Sequence, residues 1–420
     1  MTVNHPRKLS RRAYLSGLAA VGAVGAVGAL PRLAYAGMHT KRLAMPPLLD
    51  ATKTGRFSLR AQAGKANFMG RSDSNTIGFN QSYLGPVVRV AQGETEVTVE
   101  NSLKMPVSTH WHGLVIPGEV DGGPHQPVDA GGTWKITLPI TQPTATAWYH
   151  SHIHGQTATQ VYAGLAGVLQ ISDGRDDERG LPSTYGEDDL MLVVQDRSFD
   201  RRGRMNYAPN MHGVLGDTIV VNGQVGRVAA VPAGIVRLRV LNGSNARIYR
   251  LAMASGRQMH LIASEAGLLP EPLALPGITL APGERVEILV DFAGAESDSL
   301  VSALVSNTPM MGGMMGGGMM GGGMMGGGGM MQSGGGSFEL QRFKVDPGLT
   351  PRITRLAGNT GEVLPDLSPE GAVQRRFTLD MGMGAMMGGG GMMGGMMGGG
   401  SMGGGMAAGA EEALWSNGKP

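Results

Sequence analysis

The chain has 420 residues, no cysteine and a formal net charge of +2. That length suffices for two or three domains, and the near-neutral balance gives neither nucleic acid nor an anionic membrane surface a reason to bind. The missing cysteine excludes disulfides and every thiolate metal ligand.

The N-terminus carries an address. Ser10-Arg11-Arg12-Ala13-Tyr14-Leu15 places an arginine pair before a mildly apolar run that ends near Ala34-Tyr35-Ala36, a small-x-small cleavage pattern. The run is short for a span and rich in glycine, so it predicts no stable membrane anchor. Residues 1–36 are expected to be a twin-arginine signal peptide, with the export machinery as the precursor's partner. The mature chain, from about Gly37, is expected in the periplasm.

From about Leu48 the pattern is that of strands. Val87 to Val99 alternates, Thr133 to Leu138 alternates again, and Val168 to Ser172 reads as a closing strand. Turn residues separate these runs and no long 3.6-period segment intervenes, which predicts an all-β, antiparallel sandwich or barrel. The plan then repeats. QGETEVTVENS, ending at Ser102, resembles AGIVRLRVLNGS, ending at Ser244, and AGGTWKITL, from Ala130, resembles PGERVEILV, from Pro282. Two β-domains follow, at about 45–175 and 185–345, then a linker over 346–410. The second copy has no His-x-His, so the first copy's histidines are not needed to build the fold.

Two low-complexity tracts interrupt the plan, 309–336 and 381–406, and together they hold 20 of the 30 methionines. Their composition cannot bury a core, which predicts disordered loops. Thioether sulfur is soft and needs no deprotonation, so paired methionines between glycines suit transient capture of Cu(I). The alternative is a low-complexity expansion without function.

Five of the ten histidines fall at alternate positions in two short segments, HWHG (His110–Gly113) and WYHSHIHG (Trp148–Gly155). Side chains at i and i+2 of a strand share a face, so His110 projects with His112, and His150 with His152 if Tyr149–Ile153 is extended. If the two strands are neighbours, four imidazoles converge. Such a cluster without carboxylates at the same spacing suits copper or zinc. The competing reading is an ordinary polar strand face, which two such motifs beside Trp and Gly disfavour. His154 is read as a supporting or structural residue. His39, His125, His212 and His260 are isolated and read as solvent-facing or core residues.

HWHG and WYHSHIHG resemble the first two copper motifs of the multicopper oxidases. HWHGLVIPGEVDGGPH, QVYAGLAGVLQI, GDTIVVNG, RLRVLNGSNAR and IASEAGLLPEP resemble the bacterial periplasmic cuprous oxidases of copper tolerance. The resemblance implies tandem cupredoxin-like Greek-key β-sandwich domains, three in the family. It also implies a blue copper that takes electrons from the reductant and a trinuclear cluster that reduces O₂ to water. By motif position His110 resembles the type-2 ligand, and His112, His150 and His152 resemble type-3 ligands. Asp121, in GEVDGG, matches an acidic residue that helps supply protons to oxygen; from the residues alone it reads as a turn aspartate. Met381 matches a position near the substrate copper, and Met383 beside it is the second thioether candidate.

The chain departs from this pattern in two places. Blue copper needs a Cys thiolate, and the later HPxHxHG motif is absent, so half of the trinuclear ligands are missing. Residues 411–420 resemble the opening of a third domain, and the expectation is of a truncated chain. Two functions stay open. One is a copper-dependent oxidase acting on Cu(I), or on phenolic or metal reductants, with O₂, and inactive as the chain stands. The other is an exported copper buffer using the Met tracts and a half-cluster of histidines. A structural cupredoxin protein that has lost its metal is a third possibility, which the intact His-x-His pairs argue against.

Overall fold

The computed structural model describes residues 41–210, 213–303, 337–360 and 370–376. The signal peptide, both Met/Gly tracts, Met381, Met383, His39, His212 and residues 411–420 lie outside the described residues. The described residues up to Thr360 belong to one compact unit and residues 370–376 to another; the account below concerns the first.

The first nine strands are β1 (Leu48–Asp50), β2 (Arg56–Ala66), β3 (Ser74–Phe79), β4 (Val87–Val90), β5 (Gly93–Asn101), β6 (His110–His112), β7 (Thr133–Ile140), β8 (Ala145–His150) and β9 (Ala166–Ile171). They form a five-stranded sheet, β1-β4-β9-β8-β6, and a four-stranded sheet, β3-β2-β5-β7. The apolar alternates of both sheets meet in one core, with Phe57, Leu59, Val97, Val99, Trp111, Leu138, Tyr149 and Leu169 all buried. One short helix, α1 (Thr157–Ala163), sits between β8 and β9.

The second set is β10 (Asp189–Phe199), β11 (Met205–Asn206), β12 (Thr218–Val221), β13 (Val228–Val231), β14 (Ile235–Asn242), β15 (Tyr249–Met253), β16 (Met259–Ser264), β17 (Gly267–Leu275), β18 (Ile278–Leu280), β19 (Arg285–Asp291), β20 (Ser297–Ala303) and β21 (Ser337–Val345). A seven-stranded sheet contains β11-β10-β14-β19-β16-β17 with β12 paired to β10, and a five-stranded sheet runs β13-β21-β20-β15-β18. Val236, Leu238, Val240, Ile288, Val290, Phe292 and Phe343 fill the core between them. The architecture is all-β and cupredoxin-like.

Two sequence expectations need correction. The sheets are mixed rather than antiparallel: β1 with β4, β4 with β9, β2 with β5, β10 with β14 and β13 with β21 are parallel pairs. Sandwich connections cross between layers, so strands distant in sequence become neighbours. The alternating run from Val87 to Val99 is also two strands in two sheets. It breaks before Gly93, whose φ of 117° an L-residue rarely adopts.

The two sandwiches pack against each other. Val87, Trp148, Ala166 and Val168 of the first share an apolar cluster with Met191, Val193, Val220 and Leu241 of the second. Both faces of β8 and β14 are therefore covered, and every residue in them is buried. The stretch after β21 also packs on the second sandwich: Ile353 accepts from the Ile235 N–H, and Thr360 donates its N–H to Pro270.

Candidate metal centre

Trp111 decides which way the first motif faces. It is fully buried, edge-on to Phe57 at 5.9 Å and beside Tyr149 at 5.9 Å. Strand alternation then turns His110 and His112 to the opposite side. The pairing of β6 with β8 sets His110 opposite His150, Trp111 opposite Tyr149 and His112 opposite Trp148. The two motifs are thus antiparallel neighbours, and their histidines share a face.

The strand geometry ends at His150 rather than running to Ile153. His152 still returns to the cluster because its N–H donates to the buried Ser108 Oγ at 2.9 Å. Ser151 is held by Gln160 of α1, whose side-chain amide also donates to Pro106 O. The ring centroids of His110, His112, His150 and His152 lie 5.3–5.8 Å apart in five pairings. The ligand nitrogens of His110, His112 and His150 come within 4.8 Å of one another. His152 lies beside this triad rather than in it. His154 and His125 are exposed, and half-buried His260 sits in β16, in the other sandwich.

Hydrogen bonds assign the free nitrogens of His110 and His150. His110 Nδ1 lies 3.0 Å from Asp121 O and 3.2 Å from Asp121 Oδ1, so Nδ1–H donates there and Nε2 keeps its lone pair. His150 Nδ1 donates to Ser151 O at 2.9 Å, which again frees Nε2. His112 is turned the other way, with Nδ1 3.3 Å from His150 Nε2. Two nitrogens bound at about 2.0–2.1 Å to one tetrahedral ion sit ~3.3 Å apart. The donor set therefore fits a first-row ion held by neutral imidazoles, and copper is among the ions such donors suit.

Burial keeps His112 and His150 neutral. It lowers His150 to about 3, with smaller effects from the neighbouring histidines. It lowers His112 to about 4, helped by the positive charge of Arg285 and by repulsion between a charged His112 and the neighbouring His110 and His152. Metal binding at neutral pH then displaces no proton from a charged ring at either residue.

Asp121 follows a short 3-10 turn at Gly118–Val120. Its carbonyl accepts from both His110 and the Trp111 N–H, so its backbone role is that of a turn residue that also orients a ligand. Gly122 has φ +75°, and a Cβ there would run into Thr109 O, so the VDGG turn needs that glycine.

Sequence reasoning missed four contributors. Ser108 fixes His152. Trp148 stacks on His150 at 4.0 Å and lies 5.1 Å from His112. Gly283 and Arg285, both from the second sandwich, touch the first motif. The repeat had flagged their segment, PGERVEILV, without indicating that it reaches the histidines.

A family model described as multicopper oxidase matches residues 60–176. A solved laccase-like multicopper oxidase, CueO from Ochrobactrum sp., is 38% identical with a TM-score of 0.67, over 77% of this chain and 68% of that one. This chain belongs to the multicopper oxidase family. The McoA multicopper oxidase of Aquifex aeolicus is 30% identical with a TM-score of 0.65, over 79% of this chain and 70% of that one. Among curated relatives, the cell division protein FtsP of Xenorhabdus nematophila is 38% identical over 302 residues, 70% of this chain and 62% of the relative. The chain thus spans 62% of the length of the curated relatives it matches. Membership of the family implies copper. Among the described residues, no helix is long and apolar enough to cross a membrane.

Proposed function

We propose that this chain binds copper through His110, His112, His150 and His152 and serves a cuprous oxidase, with Cu(I) as reductant and O₂ as acceptor, in copper tolerance. The observation that carries the reading is the triad itself: three imidazoles whose ligand nitrogens lie within 4.8 Å of one another, two of them spaced for one ion. Copper, when bound, takes electrons from the reductant and passes them to O₂. The chain's own residues hold and orient it. Asp121 fixes the His110 tautomer and carries a carboxylate beside the cluster, where it can hold a proton. Trp148 and the second sandwich exclude water from His150. The chain has no cysteine for the thiolate of a blue copper, and the HPxHxHG motif of the other cluster ligands is not in its sequence. Alone, it is expected to show no intense blue absorption and no reduction of O₂ to water. The Met/Gly tracts, with Met381 and Met383, are proposed to capture Cu(I), and the twin-arginine signal to direct export to the periplasm.

The test is electron paramagnetic resonance of the Cu(II)-loaded full chain. Nitrogen hyperfine structure is expected in the wild type and is expected to disappear in the His112→Ala/His150→Ala variant, with the fold retained. An unchanged spectrum in that variant overturns the assignment. A second reading rests on the relatives named for cell division: a scaffold in which copper is dispensable. It predicts that the same double variant keeps full biological activity in a division assay, whereas the copper reading predicts copper sensitivity.

A further inference from the structure

The second sandwich contributes no histidine to the triad, yet one of its turns touches it. The turn between β18 and β19 runs Ala281-Pro282-Gly283-Glu284. Gly283 adopts φ +85°, and a Cβ there would lie 3.3 Å from His112 Cε1 and 3.6 Å from Trp148 Cζ2. Arg285 follows and is fully buried. Its Nε donates to Thr146 O of β8 at 3.0 Å and its Nη1 to Gly283 O at 3.1 Å. Its guanidinium also packs on Gly113, where a side chain would overlap it. Glu265, between β16 and β17, pairs with Arg285 and accepts its backbone N–H at 2.7 Å. One arginine therefore braces the end of the first histidine motif, the strand of the second motif and the turn that abuts His112.

We propose that this turn, Gly283 with Arg285, is a positioning element that sets the orientation of the His112 ring and so the geometry of the metal site. The proposal rests on the copper reading above. His112 is the ring that turns Nδ1 toward the cluster, 3.3 Å from His150 Nε2, and its Cε1–Nε2 edge is the one that faces Gly283. A rotation of that ring moves Nδ1 away from the point it shares with His150. Orientation by a neighbour outside the ligand set is a general determinant of metal affinity.

The repeat supplies the control. Gly131 occupies the equivalent turn before β7, with φ +77°, and a Cβ there meets nothing within 4 Å. Gly283→Ala and Gly131→Ala therefore carry the same backbone strain, and only the first presses on His112. The experiment loads full-length wild type and both variants with one equivalent of Cu(II) and reads the copper hyperfine coupling and affinity by chelator competition. Both variants are expected to lower the unfolding midpoint by a similar amount. Gly283→Ala is expected to shift the hyperfine coupling and weaken Cu(II) about tenfold, the scale of losing an orienting neighbour; Gly131→Ala should leave both unchanged. Arg285→Lys, which keeps the charge but not the two-carbonyl fork, is expected to behave as Gly283→Ala and provides the readout if that variant does not fold. Identical copper sites in wild type, Gly283→Ala and Arg285→Lys overturn the proposal while leaving the copper reading intact. Wild-type copper that does not depend on His112 and His150 overturns both.

Discussion

The two copies of the repeated strand pair share their register and differ in what covers them. In the first, Thr98 of β5 faces Lys135 of β7, and Glu100 faces Thr133. In the second, Arg239 of β14 faces Glu287 of β19, and Leu241 faces Arg285. Each copy ends its first strand on a buried asparagine that ties down the following loop: Asn101 donates to Met105 O and Val128 O, and Asn242 to Arg247 O and Leu280 O. The outer faces part company. Glu94, Glu96, Lys135 and Thr137 are exposed, whereas Arg237, Arg239, Arg285 and Glu287 are buried against the first sandwich. Period-2 alternation thus marks a strand with a polar face, but it does not say whether that face meets water or another domain.

The buried face is a charge network. Arg239 reaches Asp189 at 2.7 Å and Glu287 at 2.8 Å, Arg237 pairs with Glu287 and Asp176, and Thr146 of the first sandwich donates to Glu287 at 2.6 Å. Arg239→Met leaves Asp189 and part of Glu287 uncompensated in the interior and is expected to destabilise by about 3–5 kcal/mol. Thr98→Val, at the matching position of the first copy, is expected to stay within about 0.5 kcal/mol. Chemical denaturation followed by tryptophan fluorescence checks both. Equal effects would dissolve the contrast between the copies.

Where the copies agree, so should their mutants. Asn101→Ala and Asn242→Ala each strand backbone carbonyls and are expected to lose about 1–3 kcal/mol, with the two values close to one another. A large difference would mean that the loops are held by something other than the asparagine.

Acid should separate the copies again. Burial pushes Glu287 up, but Arg237 and Arg239 hold it at about 2, below its usual value. Its contribution is complete above about pH 4.5 and declines as pH falls toward 2. His112 and His150 are held at about 4 and about 3, so between about pH 6.5 and those values the unfolded chain takes up protons that the folded chain refuses. Metal-free protein is expected to lose stability as pH falls from 6.5 toward 3. His112→Gln should flatten part of that slope in a pH series of unfolding midpoints, and an unaltered slope would remove His112 from the account.

Much of the site was legible because its logic is local. Strand alternation put His110 with His112, and the buried Trp111 between them settled the face. His152 comes beside the triad for a reason the sequence does not contain: its chain is no longer a strand, and Ser108 holds it in place. The run from Val87 to Val99 misled because alternation continues across the break at Gly93 while the chain changes sheets. Arg285 and Gly283 were invisible as site residues because their contacts with the histidines depend on how two sandwiches dock, which no spacing within either one encodes.

The smallest expected effect exchanges residue types between the copies. Glu96→Arg installs in the first copy the residue that Arg237 supplies in the second. Position 96 is exposed, so the new guanidinium stays hydrated and forfeits no buried partner. It comes to lie across from Arg56 of β2, a like-charge pair directly opposite on an exposed sheet face. It also relieves a run of three carboxylates at Glu94, Glu96 and Glu100, and these two effects oppose each other. The net change is expected to be within about 0.5 kcal/mol, measured as the shift in denaturant midpoint. The reverse exchange, Arg237→Glu, sets a third carboxylate beside Asp176 and Glu287 in the interior and is expected to prevent the two sandwiches from docking. If Glu96→Arg instead destabilises by more than about 1 kcal/mol, the outer face of the first copy is itself covered in the native protein. The contrast between the copies would then lie in the identity of their covers rather than in the presence of one.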